Sequence, residues 1–221
     1  MFFSNFSTKA WHRHAFTMVF LAGLVWLFTL GREGMHPVHL WNRAFADASF
    51  VLLSLTLVIG PLVKFFPQLG KLIPWRRELG IWCAAAATIH VAIYAQAFDW
   101  NVVRFFVRET DEGTTLLRNA FGVANVVGLA ALLYLVPLTV TSNNFSMQLL
   151  GRGWKFLQQQ SYTLFVLTSL HALGFFYFVY QPNGQHGTFW LMMWSGILLT
   201  IAFQILGYVS TVRQSIFRRK S

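Results

Sequence analysis

The sequence predicts an all-α, polytopic membrane protein built as a six-transmembrane-helix bundle. Of its 221 residues, 56% are hydrophobic and only 11% are charged. The apolar residues form long blocks rather than scattered faces, which is typical of membrane proteins with little soluble structure. The linkers between the blocks are short, so we expect a single transmembrane domain over residues 1–221.

Six blocks each have close to the ~20 residues that a helix needs to cross a bilayer. The predicted spans are about 13–30, 45–65, 79–98, 119–140, 157–180 and 187–210. The longest linker, 99–118, is too short for a second domain. The first block has no small-residue cleavage site ahead of a folded domain, so we expect a retained helix rather than a removed signal.

The net charge of +10 comes from short basic clusters between the apolar blocks. Such clusters indicate membrane topology better than nucleic-acid binding, so we expect no nucleic-acid partner. Twelve of the 17 Lys and Arg residues fall on one side of the predicted bundle. The positive-inside rule makes that side cytoplasmic, which places both termini in the cytoplasm and favours a bacterial inner membrane. The five outer basic residues are Arg32, Arg43, Arg104, Arg108 and Arg118.

Two histidines lie inside predicted spans at nearly the same depth. His90 is 13 residues from Arg77 in the third span, and His171 is 16 residues from Lys155 in the fifth. At 1.5 Å per residue the two depths are roughly 20 and 24 Å, in the outer half of a core about 30 Å thick. An imidazole in lipid is costly without a partner. The level pair therefore indicates one planar cofactor between two helices, with haem as the leading candidate.

Small residues lie near both histidines. Ala87, Ala86 and Cys83 follow one face of the third span below His90, and Gly174 lies three residues after His171. They leave room for a flat macrocycle, or they simply let helices pack closely; both interpretations stay open. The single cysteine allows no intrachain disulfide and no cysteine-based metal site.

The remaining histidines give weaker signals. His12 and His14 fall at the cytoplasmic edge, where we expect contact with lipid headgroups. His36 and His39 have a spacing that suits a surface metal ion, but the sequence offers no third ligand nearby. His186 falls in the last outer loop.

Two stretches carry a family resemblance. Residues 76–81, Arg-Arg-Glu-Leu-Gly-Ile, followed by His90, resemble the third-helix motif of the ferric reductase-like transmembrane domain. The nearest group would be the MsrQ/YedZ haem-binding membrane subunits. The second stretch comprises Leu135-Val136-Pro137-Leu138, Thr141-Ser142, Gly151-Arg152, Trp154-Lys155, Tyr162 and Leu170-His171. The resemblance covers about residues 44–180. It implies a six-helix b-type cytochrome whose haem iron is bound by the histidines of helices 3 and 5.

The chain departs from the two-haem pattern of the wider family. Such proteins carry an inner histidine 13 or 14 residues before each outer one, where this chain has Gln158 and Arg76. Neither side chain is a plausible haem-iron ligand. We therefore predict one haem b, on the outer side, with His90 and His171 as its axial ligands.

The predicted role is electron transfer. A haem iron with histidine on both faces has no open coordination position, which favours a one-electron carrier. The sequence has no dinucleotide fingerprint and no room for a flavin domain, so the donor would be quinol or a partner flavoprotein. The acceptor would be a redox protein at the outer face. We expect an electron-transfer subunit of an oxidoreductase system rather than a complete enzyme.

Two further sets of residues are candidates for binding. Arg104, Arg108 and Arg118 are candidates for pairing with haem propionates, or are plain loop charge. Trp154, Gln158 and Tyr162 could form a quinone pocket, since Gln and Tyr hydrogen-bond carbonyls and Trp stacks on rings; the alternative is an interfacial aromatic belt.

Two other functions stay open. One is a membrane metal (ferric) reductase component. The other is a haem-free scaffold or transporter, in which the histidines serve packing or proton relay. Transporters usually have intramembrane carboxylates, whereas Asp47 is the one obvious acidic residue within a predicted span.

Overall fold

Helices make up most of the residues that the structure describes. The computed structural model describes residues 8–32, 34–110, 113–116, 119–180 and 189–218. The helices are α1 (Thr8–Thr29), α2 (Pro37–Phe65), α3 (Trp75–Ala97), α4 (Ala120–Val140), α5 (Asn144–Leu150), α6 (Arg152–Gln159), α7 (Ser161–Phe175) and α8 (Phe189–Arg218). Short 3₁₀ turns cover Pro67–Leu72 and Val102–Phe105, and a π-helical turn, Phe176–Tyr180, continues α7. The all-α class is confirmed.

Five helical segments in the described ranges are long and apolar enough to cross a membrane. They are Pro37–Phe65, Trp75–Ala97, Phe121–Val140, Arg152–Tyr180 and Trp190–Arg213. Large apolar side chains such as Leu133 and Val140 point away from the bundle, as lipid-facing residues do. The chain is thus a multi-pass integral membrane protein. α1 is a further helix of 22 residues, and its crossing, which would make six, stays a prediction.

Three features of the fold differ from what the apolar blocks predicted. α2 begins at Pro37, earlier than the predicted 45, with proline in the first turn, where its missing N–H costs nothing. The fifth predicted span, 157–180, is divided: α6 ends at Gln159 and α7 begins at Ser161. The outer loop 99–118 contains a short antiparallel hairpin of β1 (Val107–Thr110) and β2 (Gly113–Leu116).

The spans pack as two helix pairs. α2 packs most extensively against α3, and α4 packs most extensively against α7. The two pairs meet through contacts of α2 with α7 and of α3 with α4. α3 and α7, which carry His90 and His171, therefore lie on either side of the seam between the pairs.

α1 and α8 flank α2 from outside the seam. α1 buries a helical stripe that includes Leu21, Leu24 and Phe28. Its first turns are tied to α3 by an ion pair from Arg13 Nε to Glu78 Oε1, 2.9 Å, and Glu78 is buried. The predicted third span began at residue 79, just past this carboxylate, so sequence reasoning left Glu78 out of the bundle.

α8 approaches α2 closely at glycine. A Cβ atom at Gly207 would lie 3.2 Å from Pro61 Cβ, and one at Gly196 would lie 3.0 Å from Phe50 Cε1. Small residues at such crossings let transmembrane helices pack by van der Waals contact. Neither glycine belongs to the seam between the two helix pairs.

Candidate haem-ligand site

His90 is held by α2. Its Nδ1 lies 3.1 Å from the backbone oxygen of Asn42, and the Asn42 side chain donates from Nδ2 to the His90 oxygen at 2.8 Å. Because a carbonyl oxygen can only accept, Nδ1 carries the ring proton and donates it. The lone pair of the neutral imidazole is then on Nε2, the atom left for a metal.

His171 is held in the same way by α4. Its Nδ1 donates to the backbone oxygen of Ala124 at 2.7 Å, which again leaves Nε2 with the lone pair. The ring lies across Gly128, where a Cβ atom would be 2.6 Å from Nδ1 and 2.7 Å from Cε1. A side chain at position 128 would thus displace the ring. α4 and α7 also pack closely at Gly174, where an added Cβ atom would lie 3.4 Å from the Ala124 Cβ.

The structure brings the two predicted ligand histidines together. Their ring centroids are 6.4 Å apart and their planes make an angle of 76°. A metal–imidazole bond of about 2 Å, plus about 1 Å from nitrogen to ring centre, separates two rings on one metal ion by about 6 Å. The observed separation suits a single metal centre between the rings.

The two histidines occupy equivalent positions in the two helix pairs. Each ring bonds to a backbone oxygen of the preceding apolar span, 48 residues earlier for His90 and 47 residues earlier for His171. Each helix pair thus orients its own imidazole, and the two meet across the seam.

Aromatic rings cover the site on the side where α3 and the π turn end. The outer aromatic cluster consists of Tyr94, Phe98, Phe105, Phe121 and Phe175. Tyr94 follows His90 by one helical turn and stacks on Phe105 at 5.2 Å. Phe175 contacts His171 at 5.0 Å and Phe121 at 5.8 Å. These rings separate the histidine pair from the loop that follows α3.

Beside these rings lies an outer polar cluster, formed by Arg32, Arg43, Asp47 and Tyr180. Arg32 and Asp47 form an ion pair. The Arg32 side chain is 11% exposed and the Asp47 side chain is 7% exposed. The Arg43 guanidinium carbon lies 3.4 Å from the centre of the Tyr180 ring. Arg32 Nη1 is buried and has no hydrogen-bond partner among the described residues.

Of the three arginines predicted to pair with haem propionates, the structure describes the side chain of Arg104 alone. Arg104 is on the turn after α3, with 47% of its side chain exposed, and its Nη1 is 3.7 Å from Asp99. The Arg108 backbone belongs to β1, but its side chain lies outside the described residues, as does the whole of Arg118.

The predicted quinone-pocket residues are brought together only in part. Trp154 Nε1 donates to the Thr141 oxygen at 2.9 Å, and Gln158 Nε2 lies 3.3 Å from Thr141 Oγ1 and from the Leu138 oxygen. Both side chains thus tie α6 to the end of α4. Tyr162, in contrast, is 45% exposed at the start of α7.

Arg76, which replaces the other inner ligand of the two-haem pattern, also has a structural partner. Its Nε donates to the Thr56 oxygen at 3.0 Å, and its guanidinium lies against Gly60. Among the small residues below His90, Ala86 and Cys83 are buried in the core, as the helix-packing interpretation requires. Ala87, on the His90 face, stays partly exposed.

Comparison with known proteins defines the class. The model of the family described as ferric reductase like transmembrane component matches residues 45–168. The chain belongs to that family, which confirms the resemblance seen in the sequence. The matched segment contains His90 and ends three residues before His171.

Several named relatives are similar over most of this chain. The protein-methionine-sulfoxide reductase heme-binding subunit MsrQ of Enterobacter sp. (strain 638) is 30% identical over 159 residues, covering 69% of this chain and 75% of that protein. MsrQ of Salmonella arizonae is 28% identical over 166 residues, covering 74% and 79%. The magnetosome protein MamZ of Magnetospirillum gryphiswaldense is 29% identical over 161 residues, covering 72% of this chain and 22% of that protein.

Sequence reasoning missed three residues that orient the two histidines: Asn42, Ala124 and Gly128. Asn42 fell outside the predicted second span, 45–65, so its burial in a membrane helix was not foreseen. Ala124 contributes only its backbone oxygen, and Gly128 resembles any small residue of an apolar helix.

Proposed function

We propose that this chain is a b-type cytochrome membrane subunit that carries electrons through one haem b bound between His90 and His171. The supporting observation is the 6.4 Å separation of two imidazoles whose Nδ1 atoms are both engaged by backbone oxygens. Relatives over about 70% of the chain are named heme-binding subunits. A haem iron with both axial positions filled by imidazole supplies one-electron transfer.

The residues around the pair prepare both rings for ligation. The Asn42 and Ala124 oxygens fix the tautomer and raise the basicity of each Nε2, as outer-shell acceptors do for metal-bound histidine. Because Gly128 has no side chain, the His171 ring can lie against it. The outer aromatic cluster limits access of water from the loop side and so keeps the surroundings of the site apolar.

The residues at the two inner ligand positions of the two-haem pattern support a single haem. Gln158 is bonded to the end of α4 and Arg76 to α2, so both have structural roles. The other described histidines lie near the starts of α1 and α2, and His186 is outside the described residues. We therefore propose one haem per chain, within one transmembrane domain of six spans.

The donor we propose is quinol or a partner flavoprotein, and the acceptor is a redox protein at the outer face. A quinone at Trp154 and Gln158 would have to replace their bonds to Thr141. Asp47, the one obvious acidic residue within a predicted span, is paired with Arg32, which supports the electron-transfer role over a transporter.

The reduced-minus-oxidised visible spectrum of the purified full chain tests the ligand pair. We expect a sharp low-spin b-type spectrum that His90→Ala and His171→Ala each abolish almost completely, because both imidazoles bind the same iron. His36→Ala is the matched control: this exposed histidine at the start of α2 should leave the spectrum unchanged. A normal spectrum in either ligand variant would show that the pairing is wrong.

The pyridine haemochrome assay tests the number of haems. We expect a haem-to-chain ratio near one. A ratio near two would require a second ligand pair and would overturn the single-haem proposal.

A further inference from the structure

We propose that Arg32, held in place by Asp47, binds a carboxylate of the haem and so orients the cofactor, in place of the loop arginines. This inference rests on the proposed function, since it concerns the same cofactor. It starts from Arg32 Nη1, which is buried without a hydrogen-bond partner among the described residues while Nη2 donates to Asp47.

The outer polar cluster is connected to both histidines. Asn42 bonds to His90, and the next residue, Arg43, lies on the face of Tyr180. The Tyr180 ring is 5.6 Å from Phe175, whose ring is 5.0 Å from His171. Arg32 and Asp47 are close enough to Tyr180 to interact with it electrostatically. Arg32 therefore lies close to Tyr180, whose ring is joined to His171 through Phe175.

The chemistry of the free donor selects a carboxylate. A buried donor of a charged group left without an acceptor destabilises the fold. Guanidinium groups prefer carboxylates, which they bind through short charge-assisted hydrogen bonds. One carboxylate, that of Asp47, is already present, and the guanidinium has donors for a second.

Haem b carries two carboxylates on one edge of its ring. Carboxylates at membrane depth need charged or polar partners. Arg32 follows α1 in the connection to α2 and lies beside Asp47 and close to Tyr180 at the end of the π turn, so its side chain can meet this need. Arg104 is less suited, because its exposed charge is screened by water and already faces Asp99.

The test uses the haem-loaded full chain, with ¹³C placed in the haem carboxyl groups. Oxidised-minus-reduced infrared spectra report the labelled carboxylates, and the rate of haem transfer to an excess of apo-globin reports retention. We expect Arg32→Lys to shift a labelled band and to raise the transfer rate about 10-fold or more, because lysine can pair with Asp47 but lacks the second donor arm. Arg104→Gln is the matched control and should change neither quantity.

A second variant guards against failure to fold. Arg32→Gln combined with Asp47→Asn removes both charges together, so no buried charge is left unpaired. It should load haem through the two histidines and show the same band shift as Arg32→Lys. Unchanged bands in both variants, or a shift caused by Arg104→Gln, would overturn the inference. Infrared spectra of the labelled wild-type chain would also overturn the inference if they showed both haem carboxyl groups protonated.

The two proposals fail differently. Wild-type chain that binds no haem after haem-replete expression contradicts the proposed function. Haem that depends on His90 and His171 but is indifferent to Arg32 contradicts only the carboxylate anchor.

Discussion

At the scale of single residues, the site depends on two backbone oxygens and one glycine as much as on its histidines. That His90 and His171 lie level with each other was predictable, because helix rise converts sequence distance into height along each helix. Their orientation was not. It is set by Asn42 and Ala124, which are 48 and 47 residues away along the chain, so it depends on which helices pair.

Gly128 provides the sharpest test of this orientation. We expect Gly128→Ala to displace the His171 ring, since the added Cβ would lie 2.6 Å from Nδ1. Haem content should fall several-fold, and the low-spin bands should weaken in the reduced-minus-oxidised spectrum. Gly23→Ala is the control, because a Cβ at Gly23 meets nothing within 4 Å. Full haem content and an unchanged spectrum in Gly128→Ala would show that the ring does not need this space.

The arginines illustrate what loop charge can and cannot predict. Arg104 was a reasonable candidate by position, yet its side chain faces solvent beside Asp99. Arg32 gave no signal in the sequence, because its ion pair with Asp47 requires the α1–α2 connection to fold back against α2.

At the scale of elements, the apolar blocks predicted the helices because lipid requires each span to satisfy its own backbone hydrogen bonds. The division between α6 and α7 was not predictable, because an apolar block does not show where a helix turns. There Trp154 and Gln158 tie α6 to the end of α4. The hairpin Val107–Thr110 with Gly113–Leu116 was missed for another reason: such a short strand pair carries a weak sequence signal.

The contact between α8 and α2 should contribute stability without affecting the haem. We expect Gly207→Leu to lower the free energy of unfolding by about 1–3 kcal/mol through overpacking against the rigid Pro61 ring. Thermal denaturation in detergent measures the loss, with Gly23→Leu as the control. A variant that retains its stability would contradict the tight crossing. A variant that keeps wild-type stability but binds no haem would show that α8 contributes to the haem site.

At the scale of the whole molecule, two helix pairs each present one imidazole to a shared seam, and the charge asymmetry predicts the orientation of the bundle in the membrane. Twelve of the 17 Lys and Arg residues lie on the predicted cytoplasmic side. This asymmetry was predictable from the sequence, because basic loops resist translocation. The pairing of α2 with α3 and of α4 with α7 came from the structure.

Cysteine labelling tests this orientation. The native Cys83 is buried and should not react, so single cysteines can be added at exposed positions between the spans. We expect a membrane-impermeant maleimide to label Asn101→Cys in intact spheroplasts, and to label Gln148→Cys only after permeabilisation. The opposite labelling pattern would place both termini outside the cytoplasm and the histidine pair in the cytoplasmic half of the membrane.

The central claim is that one iron is bound between His90 and His171, and a density map of the purified haem-loaded chain tests it most directly. The account predicts one porphyrin in the seam between the helix pairs, with its iron about 2 Å from Nε2 of each histidine. A map in which the two rings point apart, or in which the porphyrin is ligated by any other residue, would contradict it.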